Sequence, residues 1–188
     1  MSRLVKRRAI GHLAPAGNYL GGVNDDRVAR LVAPFYLKMM RLNAIEYGED
    51  LAPAIVRAGR DAGTDDIVAL LRDPWRSTVM GAWLSIVRGA DGSCREVLSA
   101  LGRSHGSLDA PPLAIAAVVL ADDRALPALS AYVERDRQAG WGAARFVTAI
   151  IRHLGASRDG HASATEDTQV RAMFEVAELL RRGDGSPS

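Results

Sequence analysis

From Ala110 to Ala121 the chain runs twelve residues without a polar side chain, bounded by Asp109 on one side and Asp122–Asp123 on the other. A bilayer span needs about 20 apolar residues, so this run is too short to cross one. An amphipathic surface helix would interrupt it with polar residues every few positions. The reading that remains is a helix buried on most of its sides, opened by Asp109 and the Pro111–Pro112 pair. Such an element must be wrapped by other structure. A chain of 188 residues has the length for one domain that does so.

The wrapping is expected to be helical. Apolar positions recur at spacings of three and four, and no stretch alternates with the period of two that a half-buried strand needs. Asp25 and Asp26 precede Val28, Leu31, Phe35, Met39 and Leu42, and Pro34 predicts a kink or a split. A second helix is expected from about Glu49 to Ala58, with Pro53 in its first turns. Thr64, Asp65 and Asp66 cap a short helix through Ile67, Leu70 and Leu71. Asp73 reads as an N-cap with Pro74 in the first turn. The stripe Trp75, Val79, Met80, Trp83, Leu84 and Val87 follows, ended by Gly89. Asp91 opens a helix carrying Val97, Leu98 and Leu101, and Gly102 to Gly106 breaks it. Asp122 and Asp123 cap a helix with Leu126, Leu129, Tyr132 and Val133 on one face. Gly140 separates that helix from one bearing Trp141, Ala144, Val147, Ile151 and Leu154. The last helix is capped near Thr165 and buries Val170, Met173, Phe174, Ala177 and Leu180. Its Glu178 stands four residues before Arg182, a favourable pair.

Helix pairs in the second half begin near Asp73, Asp109 and Gly140, at intervals of 36 and 31 residues. That is the period of stacked helix pairs, so the expected fold is all-α, a HEAT-like right-handed α-solenoid, with an irregular helical bundle as the alternative. The domain plan has three parts. Residues 1–24 form an irregular basic arm, 25–182 a single repeat-like domain, and 183–188 a disordered tail. Residues 157–164 read as a flexible internal loop.

Three short segments carry a family resemblance. They are Arg30 to Leu37 with its Val32-Ala33-Pro34-Phe35-Tyr36 core, Pro74-Trp75-Arg76 with Ala82-Trp83-Leu84, and Leu126 to Val133. Together they resemble an uncharacterised family of bacterial proteins, a domain of unknown function similar in outline to HEAT-type helical repeats. The match would span roughly residues 27–155. In one place the chain departs from the pattern: Ala110-Pro111-Pro112-Leu113 stands where the family has a Gly-Gln-Gly-Tyr-like stretch. The resemblance implies a helical-repeat fold and brings no activity.

Charge is uneven. Residues 1–48 carry eight Arg/Lys against three Asp/Glu, and residues 49–188 carry sixteen against nineteen. The excess sits in Arg3, Lys6, Arg7 and Arg8, an arm suited to phosphates or an acidic partner. Gly11, His12, Pro15, Gly17 and Asn18 break the apolar residues that follow, so no secretory h-region forms and a cytoplasmic protein is expected.

The motifs argue against most recognisable chemistries. Cys94 is the only cysteine, which excludes an internal disulfide and a multi-thiolate zinc site. His12, His105, His153 and His161 lie at no ligand spacing, and there is no phosphate-binding glycine loop or Gly-x-Ser-x-Gly elbow. No cofactor or metal is called for. Cys94 in the first turn of a helix beside Arg95 is the one nucleophile the dipole would favour, and an inert half-buried thiol is the plainer reading. The acidic pairs at helix starts read as caps.

Arg76 points partly along a buried stripe and needs a carboxylate. Asp122 or Asp123 of the next pair is the expected partner, in a structural clasp between repeats. Arg145, Thr148 and Arg152, with Arg135 and Arg137, would line a basic face, although Glu134, Asp136, Asp122 and Asp123 dilute its field. The expected function is a non-catalytic protein-interaction module, of adaptor or toxin-neutralising type, whose partner is another protein. One alternative is nucleic-acid binding through the arm and the Arg145/Arg152 face. The other is an enzyme of unrecognised type. It would gather acids or histidines from separate helices into a deep polar pocket with perturbed carboxylates.

Overall fold

The structure is a computed structural model that describes residues 25–89, 92–155 and 163–183. The basic arm, Asp91, residues 156–162 of the expected loop region and the tail beyond Gly183 lie outside the described residues, as do His12 and His161. Among the described residues all regular structure is helical. The elements are α1 (Asp25–Leu31), α2 (Tyr36–Met39), α3 (Ala44–Asp61), α4 (Thr64–Arg72), α5 (Trp75–Arg88), α6 (Cys94–Arg103) and α7 (Ala110–Ala121). A 3-10 turn (Asp122–Ala125) leads into α8 (Leu126–Ala139), followed by α9 (Ala144–His153) and α10 (Ala164–Arg182). No helix of the described residues is long and apolar enough to cross a membrane.

The twelve-residue apolar run is α7, and every residue but Val119 is buried. Helix α5 is buried almost as completely, Ser77 to Ile86 without interruption. Backbone carbonyls satisfy two of its buried polar side chains. Ser85 Oγ donates to the Gly81 carbonyl at 2.7 Å and Thr78 Oγ1 to that of Asp73 at 2.8 Å. The sequence suggests only a stripe because these serines and threonines look like a solvent face; carbonyl back-bonding lets them go inside. Around α5 pack α2, α3, α4, α6, α7 and α10. Trp83, fully buried, donates its Nε1–H to the Met39 carbonyl at 2.9 Å and so ties α5 to α2.

Pro34 splits the first segment into α1 and α2, as expected. Helix α3 does not match expectation. It starts five residues early, at Ala44, and carries Pro53 in its interior. Gly48 and Pro53 suggest a late start, yet Gly48 serves close approach: a Cβ there would lie 2.6 Å from Val176 Cγ1 of α10. Gly59 plays the same part against Val87. Through the Gly48 contact α10 packs along α3, while the Gly59 contact seats α3 on α5.

The caps also differ in detail. Asp66 accepts the Gly63 N–H at 3.4 Å, so α4 is capped from its third residue. Pro74, not Asp73, is the residue that precedes α5, and Asp73 ends α4. Asp122 takes a positive φ of 53° where α7 stops, and it opens a 3-10 turn before α8. Ser163 with Glu166 opens α10, and Glu178 pairs with Arg182 at 3.0 Å.

Candidate functional site

The turn from α4 to α5 and the turn from α6 to α7 lie side by side. Between them is a pocket of about 360 Å³, with Leu71, Trp75 and Leu108 among its apolar walls and Asp73, Arg103 and Asp109 among its polar ones. The volume is within the range of small-molecule sites.

Its rim is held by three separate contacts. Ser104 Oγ donates to Asp109 Oδ1 at 2.9 Å, Tyr132 Oη donates to the Gly106 carbonyl at 3.1 Å, and the Arg41 N–H donates to the Leu108 carbonyl at 2.8 Å. The His105 ring meets Trp141 edge-on at 5.2 Å.

Two carboxylates reach the pocket from different turns. Asp109 is 7% exposed; burial pushes its pKa up, and the Ser104 hydroxyl and nearby backbone N–H groups only partly offset this. Asp73 is also pushed up by burial, against smaller lowering effects from the Ser77 hydroxyl and the Arg27 charge. Its Oδ2 is buried and meets no hydrogen-bond donor among the described residues.

The nearby cations have anions of their own. Arg103 contacts Glu96 at 3.0 Å and also donates to the Leu71 carbonyl, while Arg27 pairs with Asp66 at 2.8 Å. Arg72 reaches Glu96 from the other side at 3.0 Å. That contact, then the one with Arg103, holds the Glu96 carboxyl below its usual range.

Next to the pocket is an aromatic corner. Tyr36 of α2 meets Trp75 edge-on at 6.0 Å, and the Arg76 guanidinium lies 4.5 Å from the Trp75 ring centre and 5.7 Å from that of Tyr36. The exposed large hydrophobic residues among those described are Leu37 (57%) and Ile45 (39%), on α2 and the first turn of α3. Lys38 lies over the Tyr47 ring at 5.3 Å.

The residues singled out from sequence fall differently. Arg76 makes no ion pair with Asp122 or Asp123, which are exposed; its half-buried guanidinium is held by aromatic faces instead. The expected clasp is therefore replaced by cation–π packing, for which the apolar stem and planar head of arginine are suited. Asp73 is not the N-cap of α5; that position is Pro74.

Arg145 is exposed and stands near Glu166. Thr148 gives its hydroxyl to the Ala144 carbonyl at 2.7 Å, and Arg152 is paired with Asp167. Arg135 turns inward to the Leu101 carbonyl, and its Nε is buried without a partner among the described residues. Asp136 is not a surface charge at all: at 1% exposure it accepts the Gly142 and Ala143 N–H groups at 2.8 and 2.7 Å. The basic face thus loses Arg135 to the interior and has acids beside Arg145 and Arg152.

Cys94 is the first residue of α6 and is half-buried. Among the described residues no three His, Cys, Asp or Glu side chains gather where they could hold a metal ion. The pocket residues Arg103, Ser104 and His105, and the corner residue Tyr36, do not stand out in the sequence as site residues. The signal that could have found the pocket is the 36-residue interval between Asp73 and Asp109. No protein-family model, curated protein or solved structure matches the chain.

Proposed function

We propose that the chain is a non-catalytic interaction module that binds another protein through the corner made by α2, the start of α3 and the start of α5. The observation that carries this is the placement of Leu37 and Ile45. They are the large apolar side chains left exposed among the described residues; Leu37 follows Tyr36 on α2, which packs on both α3 and α5, and the Tyr36 ring meets Trp75 with Arg76 over it. Tyrosine, tryptophan and arginine are the types that dominate binding hot spots, because each combines large apolar area with a polar end.

Charge beside the corner sets the partner's charge. Lys38, which lies over Tyr47, and Arg76, which lies over Trp75, make no ion pair among the described residues. The fitting partner presents apolar side chains with an acidic border. Stacking of helix pairs in a HEAT-like array is compatible with this reading but not required by it. A closed bundle, suggested by the return of α10 to α3, presents the same corner.

The test is affinity capture from native lysate with nuclease, comparing the wild type with Leu37→Glu/Ile45→Glu. The expected result is a stoichiometric protein held by the wild type, released by added salt and lost from the double variant. Equal recovery by both proteins, or recovery that collapses with nuclease, would overturn the assignment. So would a homodimer, seen by light scattering, that the double variant dissolves.

A further inference from the structure

We propose that the pocket between the α4–α5 and α6–α7 turns is a binding site for a cationic N–H donor, an ammonium or amidinium group, carried on an apolar or aromatic stem. This site is separate from the protein-docking corner, although Trp75 borders both.

Charge gives the first argument. The N-termini of α5 and α7 both face the pocket, and each contributes roughly half a positive charge. Asp73 and Asp109 more than offset them. Arg103 lines the pocket, but Glu96 holds it, and Arg27, the cation acting on Asp73, is held by Asp66. Arg72 shares Glu96 from outside and is 64% exposed, so solvent screens it. His105 is the remaining titratable group on the rim. The local balance is negative, so an anion would meet two carboxylates at the helix ends that would otherwise receive it.

Hydrogen bonding gives the second. Buried carboxylate oxygens are normally satisfied, and an orphan asks for a donor. Asp73 Oδ2 is such an orphan; it is closed to solvent as it stands, and its half-buried residue lines this space. Asp109, by contrast, has Oδ1 engaged by Ser104, which holds its carboxylate in place. A donor entering the pocket would lie in the field of both carboxylates, and a small turn of the half-buried Asp73 side chain would present its unpaired oxygen to that donor.

Shape gives the third. Leu71, Pro74, Trp75 and Leu108 supply apolar wall, and Trp75 supplies an aromatic face for a cation or a ring. The source of the group is either a free amine or a lysine or arginine side chain of a peptide. Both present the same chemistry to Asp73 and Asp109.

The experiment uses the full chain and follows its tryptophan indole N–H resonances during titration with benzylamine, benzyl alcohol and benzoate. The Trp75 signal is identified by Trp75→Phe. Benzylamine is expected to shift it saturably, and the neutral and anionic isosteres are not. Asp73→Asn should weaken benzylamine by about tenfold, the scale of one charge-assisted hydrogen bond. The amide has nearly the shape of the carboxylate it replaces, so the fold should persist. Should it fail to fold, Leu108→Lys is the second variant: it places an ammonium on the wall and should abolish benzylamine binding.

A capped lysine tripeptide separates the sources. Tighter binding than benzylamine assigns the pocket to a partner's side chain, and weaker binding assigns it to a small amine. The proposal is overturned if benzylamine gives no saturable shift, if benzyl alcohol or benzoate binds as well, or if the folded variant binds benzylamine unchanged. None of these results depends on the corner variant, so the two readings fail independently.

Discussion

Replacing Gly48 by alanine should destabilise the wild type and stabilise a Val176→Ala background. In a helix interior alanine is better than glycine by about 1 kcal/mol. Against this, the new Cβ would stand 2.6 and 2.8 Å from the two γ-carbons of Val176. Valine is stiff about χ1, so its methyls cannot both swing away, and α10 must move off α3. Overpacking of this kind costs roughly 1–3 kcal/mol, which against that gain leaves a net loss of up to about 2 kcal/mol. For a chain of this size that lowers Tm by up to roughly 8 °C.

Val176→Ala alone removes two buried carbons and leaves a small void, a loss of about 2 kcal/mol. The same deletion removes both clashing γ-carbons and leaves only the Cβ of residue 176, 3.3 Å away, a tight contact that a shift of a few tenths of an ångström relieves. Added to Val176→Ala, Gly48→Ala should recover up to about 1 kcal/mol, leaving a coupling of about 1–3 kcal/mol between α3 and α10. Chemical denaturation of the four proteins measures each term. If Gly48→Ala shifts stability by the same amount in both backgrounds, α3 and α10 do not approach as described and the closure of the fold is wrong.

Other perturbations test local claims. Asp136→Ala leaves the Gly142 and Ala143 N–H groups without their acceptor and should cost roughly 2–5 kcal/mol by urea unfolding, against near zero for a surface acid. Arg76→Glu removes cation–π contacts worth about 1 kcal/mol, so Tm should fall by no more than roughly 2–4 °C; a sharp fall would restore the ion pair with Asp122 or Asp123. Glu96 and Asp109 should act oppositely on the acid limb of a Tm-against-pH curve. The native Glu96 pKa is depressed, so the unfolded chain binds more protons and stability rises with pH through that window; Glu96→Gln should flatten the rise. The native Asp109 pKa is raised, so the folded chain binds more protons and stability falls with rising pH; Asp109→Asn should make the net rise steeper, and identical curves would contradict both shifts.

Much of the helical order is legible because single residues dictate it. Pro34 must interrupt α1–α2, Gly89 and Gly140 stop helices at positive φ, and an uninterrupted run from Ala110 to Ala121 has to be buried. Helix α3 is harder to read because glycine has two uses. At Gly48 and Gly59 it admits a neighbouring helix, and nothing local distinguishes that from a break. Asp136 resembles a surface charge for a similar reason. The donors it serves, the N–H groups of the next turn, become visible only when α8 and α9 are folded back on each other.

The pocket carboxylates are in plain view in the sequence under another role. An aspartate at a helix start is so well explained by capping that no further function suggests itself. Yet Asp109 makes no side-chain cap to α7, and Asp73 stands one residue outside Pro74, which precedes α5. Each stands just before the start of a buried helix, and α5 and α7 pack together with those starts at one edge. Two short acidic side chains are thereby delivered to one space and partly stripped of water. The acidic start of α8 shows the condition this requires. Asp122 turns through positive φ into a 3-10 segment, and it and Asp123 stay in solvent. Packing of the helices that follow brings the acids together, and the local backbone decides whether they are buried; the sequence shows that each acid precedes a helix and leaves both of these to the fold.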